Sequence, residues 1–97
     1  PEFPGGMKGC MDFIQTEMHY PEEAKKAGIQ GRVILQFIVE KDGTPVQPRI
    51  IRNIHPLLDK EALRIIRKMP KWTPGKQDGK PQRVLYTIPI TFQLTKP

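Results

Sequence analysis

Chemistry in a protein needs nucleophiles, bases or metal ligands, and this chain holds few of them. It has no serine, Cys10 is its only cysteine, and His19 and His55 are its only histidines. A serine nucleophile, an internal disulfide and a cysteine-type zinc site are therefore excluded. The closest approach to a reactive cluster is His55 with Asp59 and Glu61. These residues open an apolar-periodic segment, where helix capping and solubility account for them better than catalysis does. No glycine-rich phosphate loop follows a strand. The chain reads as a non-enzyme with no cofactor and no metal. Met7, Cys10, Met11, Met18 and His19 include soft-metal ligand types, but their spacing follows the helix period. That assigns the methionines to the edge of a core.

The remaining chemistry is charge and shape. Lysine and arginine outnumber aspartate and glutamate by 16 to 10, a formal net charge of +6. That surplus suits nucleic acid, anionic lipid or an acidic protein. Sheet-based RNA readers stack bases on exposed aromatics, whereas Phe37 and Phe92 here share faces with aliphatic core residues and the opposite face carries isoleucines. A basic nucleic-acid-binding domain is therefore the rival to a protein-binding module, and salt titration of binding separates the two. With 97 residues the chain makes one domain. No apolar run approaches the roughly 18 residues that span a bilayer, and no signal-peptide pattern opens the chain.

These residues must be positioned by short elements, because prolines and glycines divide the chain. Phe3, in a proline- and glycine-rich stretch, predicts an extended arm that buries it. Met7 to Met18 has helical spacing. Tyr20 to Gly28 predicts a second short helix, with Pro21 at its first position, Glu22 and Glu23 in the first turn and Gly28 as C-cap. From Gly31 to Asp42, Val33, Leu35, Phe37 and Val39 share one strand face, and Ile34 and Ile38 lie on the other. Asp42-Gly43 signals a hairpin into a strand from about Thr44 to Ile54, which contains Pro45 and Pro48. Leu57 to Met69 predicts an amphipathic helix stopped by Pro70. Lys71 to Gln82 reads as a polar loop whose Trp72 closes the core. Arg83 to Leu94 alternates as a last strand, interrupted by Pro89.

Two strands carry proline and one does not, so the proline-free strand belongs in the middle. The expected fold is α+β: a three-stranded antiparallel sheet, order 2-1-3, with helices packed on one face. The other face exposes Ile34, Ile38, Ile51 and Leu85 unless residues 1–18 cover it or a homodimer forms there; cover is expected.

The succession Tyr20-Pro21-Glu22-Glu23-Ala24, Gly28-Ile29-Gln30-Gly31-Arg32-Val33, Asp42-Gly43, Leu58-Asp59-Lys60-Glu61-Ala62, Trp72-Thr73-Pro74-Gly75 and Pro89-Ile90-Thr91-Phe92 resembles the C-terminal domain of TonB-type energy transducers. The resemblance covers Tyr20 to Leu94. Phe3-Pro4-Gly5-Gly6 and the helix after it resemble an extension in one branch of that family. It implies a single domain over residues 1–97, with 1–19 an arm and helix and 20–94 the core. It further implies a periplasmic domain of an inner-membrane-anchored protein from a Gram-negative-type cell. Such domains bind the TonB box of outer-membrane transporters, and the anchor works with the ExbB–ExbD motor through upstream segments. The same domain type also ends some envelope sensor proteins, which is the alternative parent.

The mechanism implied is strand addition, in which an extended peptide pairs with the unpaired groups of an edge strand. By resemblance the receiving edge is the last strand. That puts Arg83, Leu85, Thr87, Pro89, Thr91 and Gln93 in the partner-binding set, with His19, Tyr20 and Pro21 near the contact. Pro89 is expected to turn its donorless nitrogen outward, since an inward nitrogen would cost the sheet a bond. Protection of the edge against aggregation is its other reading, and a staple before the second helix is the other reading of Tyr20.

Overall fold

The computed structural model describes residues 1–94. Helix α1 spans Gly6–Glu17 and α2 Glu22–Lys26, followed by strands β1 (Gly31–Val39) and β2 (Pro45–Arg52). Helix α3 runs Pro56–Arg67, and β3 (Gly75–Gln77), β4 (Lys80–Gln82) and β5 (Val84–Phe92) complete the chain. The main sheet is antiparallel with order β2-β1-β5. This is the expected arrangement, with the proline-free strand in the centre.

Proline chemistry accounts for the sheet's form. The β1–β2 ladder is irregular, with register shifts between Ile34 and Leu35 and between Gln36 and Ile38. Gln47, just before Pro48, takes a positive φ of 53°, so the strand bulges where proline cannot donate. The β1–β5 ladder runs unbroken from Gly31↔Phe92 to Val39↔Val84. Alternate β1 residues Val33, Leu35, Phe37 and Val39 are fully buried, paired with Ile90, Ile88, Tyr86 and Val84 on the same face.

Helices cover that face. In α3, Leu58, Ala62, Ile65 and Ile66 recur at helical spacing and are buried. His55 caps the helix: its Nδ1 accepts from the Leu57 N–H at 3.1 Å, and Pro56 opens the first turn. Asp59 accepts from the Ile54 N–H at 3.1 Å. His55 and Asp59 are thus committed to the helix start, whereas Glu61 is not: it bonds Arg64 and the His19 N–H instead. Pro21 sits at the N-cap of α2 rather than at its first helical position.

Three features depart from the sequence reading. The arm and α1 pack on the helix side of the sheet, not on the open face. Phe3 stacks edge-on to Trp72 at 5.4 Å, and Trp72 in turn meets Phe37 at 5.5 Å. The open face therefore keeps Leu85 59% and Ile51 48% exposed. Second, only Cys10 and Ile14 of α1 are buried; Met7 and Met11 are 69% and 56% exposed. They do not fill a core edge, because the helix turns its Cys10–Ile14 stripe inward. Third, the polar loop folds into the β3–β4 hairpin, turning at Asp78 and Gly79, both with positive φ.

Gly43 joins the two ends of the fold. Its φ of +92° is left-handed, and a Cβ there would sit 1.9 Å from the Trp72 carbonyl oxygen. Its own carbonyl accepts from the Trp72 N–H at 2.8 Å, and the next residue, Thr73, exchanges a backbone pair with Glu2 at 2.9 and 2.7 Å. The hairpin, the segment after α3 and the arm meet at this point.

Candidate functional site: the outer rim of β5

β5 pairs with β1 on one side, and among the described residues no strand lies on its other side. Which main-chain groups face out follows from the hairpin. The Glu40 N–H donates to the Thr44 carbonyl at 2.9 Å, so Glu40 points its polar groups toward β2. Ile34 lies an even number of residues earlier on the same regular strand, and it points the same way. Ile34 therefore opposes Pro89 as a non-hydrogen-bonded pair, and the Pro89 nitrogen faces outward, as expected. Alternation then directs the N–H and C=O groups of Leu85, Thr87 and Thr91 outward too, with the Pro89 carbonyl between them. The side chains of Leu85, Thr87, Pro89 and Thr91 are all exposed. The rim is an open row of donors and acceptors with one donor missing in its middle.

Arg83 precedes β5 and is engaged by the sheet itself, its Nε 2.9 Å from Glu40 Oε1. Gln93 follows β5 and is exposed. Thr87 also lies in a polar row across the open face, where Gln36 Nε2 donates to its hydroxyl at 3.4 Å and Arg49 donates to Gln36 at 3.2 Å.

Of His19, Tyr20 and Pro21, Tyr20 is the one whose ring meets β5, at the end of the strand. The Tyr20 hydroxyl donates to the Ile29 carbonyl, and its ring meets Phe92 edge-on at 5.7 Å. Burial pushes the Tyr20 hydroxyl pKa up. This geometry is that of a staple holding α2 to the end of β5. The His19 side chain is exposed, while its backbone N–H donates to Glu61 Oε2 at 2.7 Å.

Among the described residues Glu61 is the one buried charged side chain. Arg64 binds it through two bonds of 2.8 Å and reaches on to Glu17 at the end of α1. Burial alone would raise the Glu61 carboxyl. The bonds from Arg64 and from the His19 N–H outweigh that and hold it below the usual carboxylate range. The cluster ties the C-terminal end of α1 to α3, and so fixes α1 beside β5.

Sequence reasoning missed what α1 does at the rim. A groove of about 460 Å³ separates it from β5, lined by Met7, Cys10, Met11, Trp72, Tyr86 and Pro89 among others. The signal was present: Met7 and Met11 are four residues apart on a stripe distinct from that of Cys10 and Ile14.

Comparison with known proteins agrees with this fold. The family model described as Gram-negative bacterial TonB protein C-terminal matches residues 16–94. Protein TonB of Vibrio cholerae is 31% identical over 88 residues, covering 90% of this chain and 36% of that protein. The chain thus spans about a third of that relative's length. Two solution structures of the Helicobacter pylori TonB C-terminal domain share the fold. One has a TM-score of 0.71 at 24% identity, covering 94% of this chain and 96% of the other. The second, of a longer piece, has a TM-score of 0.68 at 25% identity and covers 90% and 78%. On the match over residues 16–94, this chain belongs to the family of Gram-negative bacterial TonB protein C-terminal domains.

Proposed function

We propose that this chain is the periplasmic, receptor-engaging end of a TonB-type energy transducer. It takes the TonB box of outer-membrane transporters as an added strand on β5. Upstream segments connect it to an inner-membrane anchor and the ExbB–ExbD motor, which couples proton-motive force to uptake. The observation that carries this reading is the open rim of β5, with outward main-chain groups at Leu85, Thr87, Pro89 and Thr91.

The energetics fit a coupler that engages and releases. Each added main-chain bond contributes about 0.5–1.5 kcal/mol net, and ordering the guest costs roughly 1–2 kcal/mol per residue. A short guest binds modestly unless its side chains add contacts. A nucleic-acid function is disfavoured by the same fold, since Phe37 and Phe92 are fully buried and offer no stacking platform.

The test is amide chemical-shift mapping with a TonB-box peptide. Shifts concentrated on residues 84–93 support the reading. An unchanged spectrum with several such boxes, or a steeply salt-dependent affinity for oligonucleotides instead, refutes it.

A further inference from the structure

We propose that the open face of the main sheet docks on an anionic phospholipid membrane, its arginines meeting lipid phosphates and its exposed aliphatic side chains entering the headgroup boundary. The inference concerns a face of the sheet rather than its rim, and it stands or falls independently of strand addition on β5.

Charge is distributed unevenly over the sheet. Its three strands contain only three charged residues, Arg32, Arg49 and Arg52, and no acidic one. All three belong to the open face. Arg32 alternates with buried Val33, Arg52 lies opposite Ile34, and Arg49 donates to Gln36. All three are exposed, and none is in an ion pair among the described residues. Glu40, the carboxylate just beyond β1, is already held by Arg83. From the strand rise and spacing, the three arginine backbones lie within roughly 15 Å of one another. Next to them the same face carries Ile34 and Ile38, with Leu85 opposite Ile38 and 59% exposed.

Aliphatic side chains left in water beside unpaired arginines make up the chemistry of an interfacial membrane contact. Each arginine near an anionic leaflet adds to the attraction, and a guanidinium can bind a phosphate through two parallel bonds. Other occupants answer only half of the surface. A second copy would set three unpaired arginines against three more. Nucleic acid would meet the arginines, but Ile34, Ile38 and Leu85 offer no aromatic ring on which bases could stack. A bilayer with anionic headgroups satisfies both the charge and the aliphatic patch.

The experiment uses the whole chain with vesicles of phosphatidylcholine, alone and mixed with phosphatidylglycerol. Co-sedimentation is expected with the mixed vesicles only, and it should fall as salt is added. Arg49→Gln and Arg52→Gln, both at exposed positions, should each weaken partitioning about fivefold. Lys60→Gln combined with Lys68→Gln removes two charges from the α3 side of the molecule and should weaken it by less than about twofold. In the parent chain, headgroup spin-labelled lipid in mixed bicelles should broaden the methyl signals of Ile34, Ile38 and Leu85. The methyls of Ile65 and Ile66, buried under α3, should be spared. Absence of binding to the mixed vesicles overturns the proposal. So does equal broadening of both sets of methyls, or a loss from the α3 pair as large as that from the arginines, since either makes net charge the cause. Oligonucleotide binding as tight as vesicle binding shows a general polyanion surface and overturns it too. The TonB-box shifts on β5 are read in a separate titration, so failure of either reading leaves the other intact.

Discussion

Glu61 shows how one buried carboxylate positions a helix. Its oxygens answer Arg64 and the His19 N–H, and Arg64 carries the connection to Glu17. Because its pKa is held down in the fold, its stabilisation is complete above the ordinary carboxylate value and drains as pH falls through the folded one. Glu61→Gln should therefore cost about 1–3 kcal/mol at neutral pH, and its melting gap from the parent should narrow steadily on acidification. A gap independent of pH would show that the charge contributes nothing. Gly43 makes the opposite kind of demand, since its left-handed backbone and its closeness to the Trp72 carbonyl leave no room for a methyl group. Gly43→Ala should lose more than about 1 kcal/mol, read as a lower denaturation midpoint. Cys10 is buried and its thiol pKa is raised by that burial, so thiol reagents should label it slowly until the chain is unfolded.

At the scale of elements, β5 makes two kinds of position distinguishable. Thr91 directs its N–H to the rim and Ile88 directs its own to β1, by the alternation that turns Pro89 outward. Thr91→Pro should leave the melting temperature nearly unchanged and weaken peptide binding. Ile88→Pro should unfold the domain, at a cost of about 3 kcal/mol or more. Equal effects of the two on stability would overturn the assigned orientation. The elements also show what was legible beforehand. The period-two run from Val33 to Val39 and the prolines at 45, 48 and 89 were enough to order the sheet, because proline can only sit where no donor is needed. The β3–β4 hairpin was not legible: Lys76, Gln77, Lys80 and Pro81 bury nothing, so no hydrophobic alternation marks it. Its one signal was Asp78-Gly79, the same dipeptide that turns β1 into β2. The placement of α1 was also hidden, because its stripe of Cys10 and Ile14 and its stripe of Met7 and Met11 are equally apolar in sequence.

Across the whole molecule, the principal extents are 49 × 25 × 16 Å, so the fold is a thin plate with little depth of core. A single anchor then matters more than it would in a thicker domain. Phe3 is 6% exposed and joins Phe13 and Trp72. Phe3→Ala should cost about 3–5 kcal/mol and lower the melting temperature well beyond the scatter of surface variants; an unchanged melt would mean the arm is dispensable. The missing donor at Pro89 has a mechanical consequence at this scale. A guest strand hauled along its length would load two short stretches of main-chain bonding, one on either side of the proline, rather than a single continuous one. Rupture under tension should then occur in two small steps, and Pro89→Val, by mending the gap, should merge them into one at higher force in single-molecule pulling.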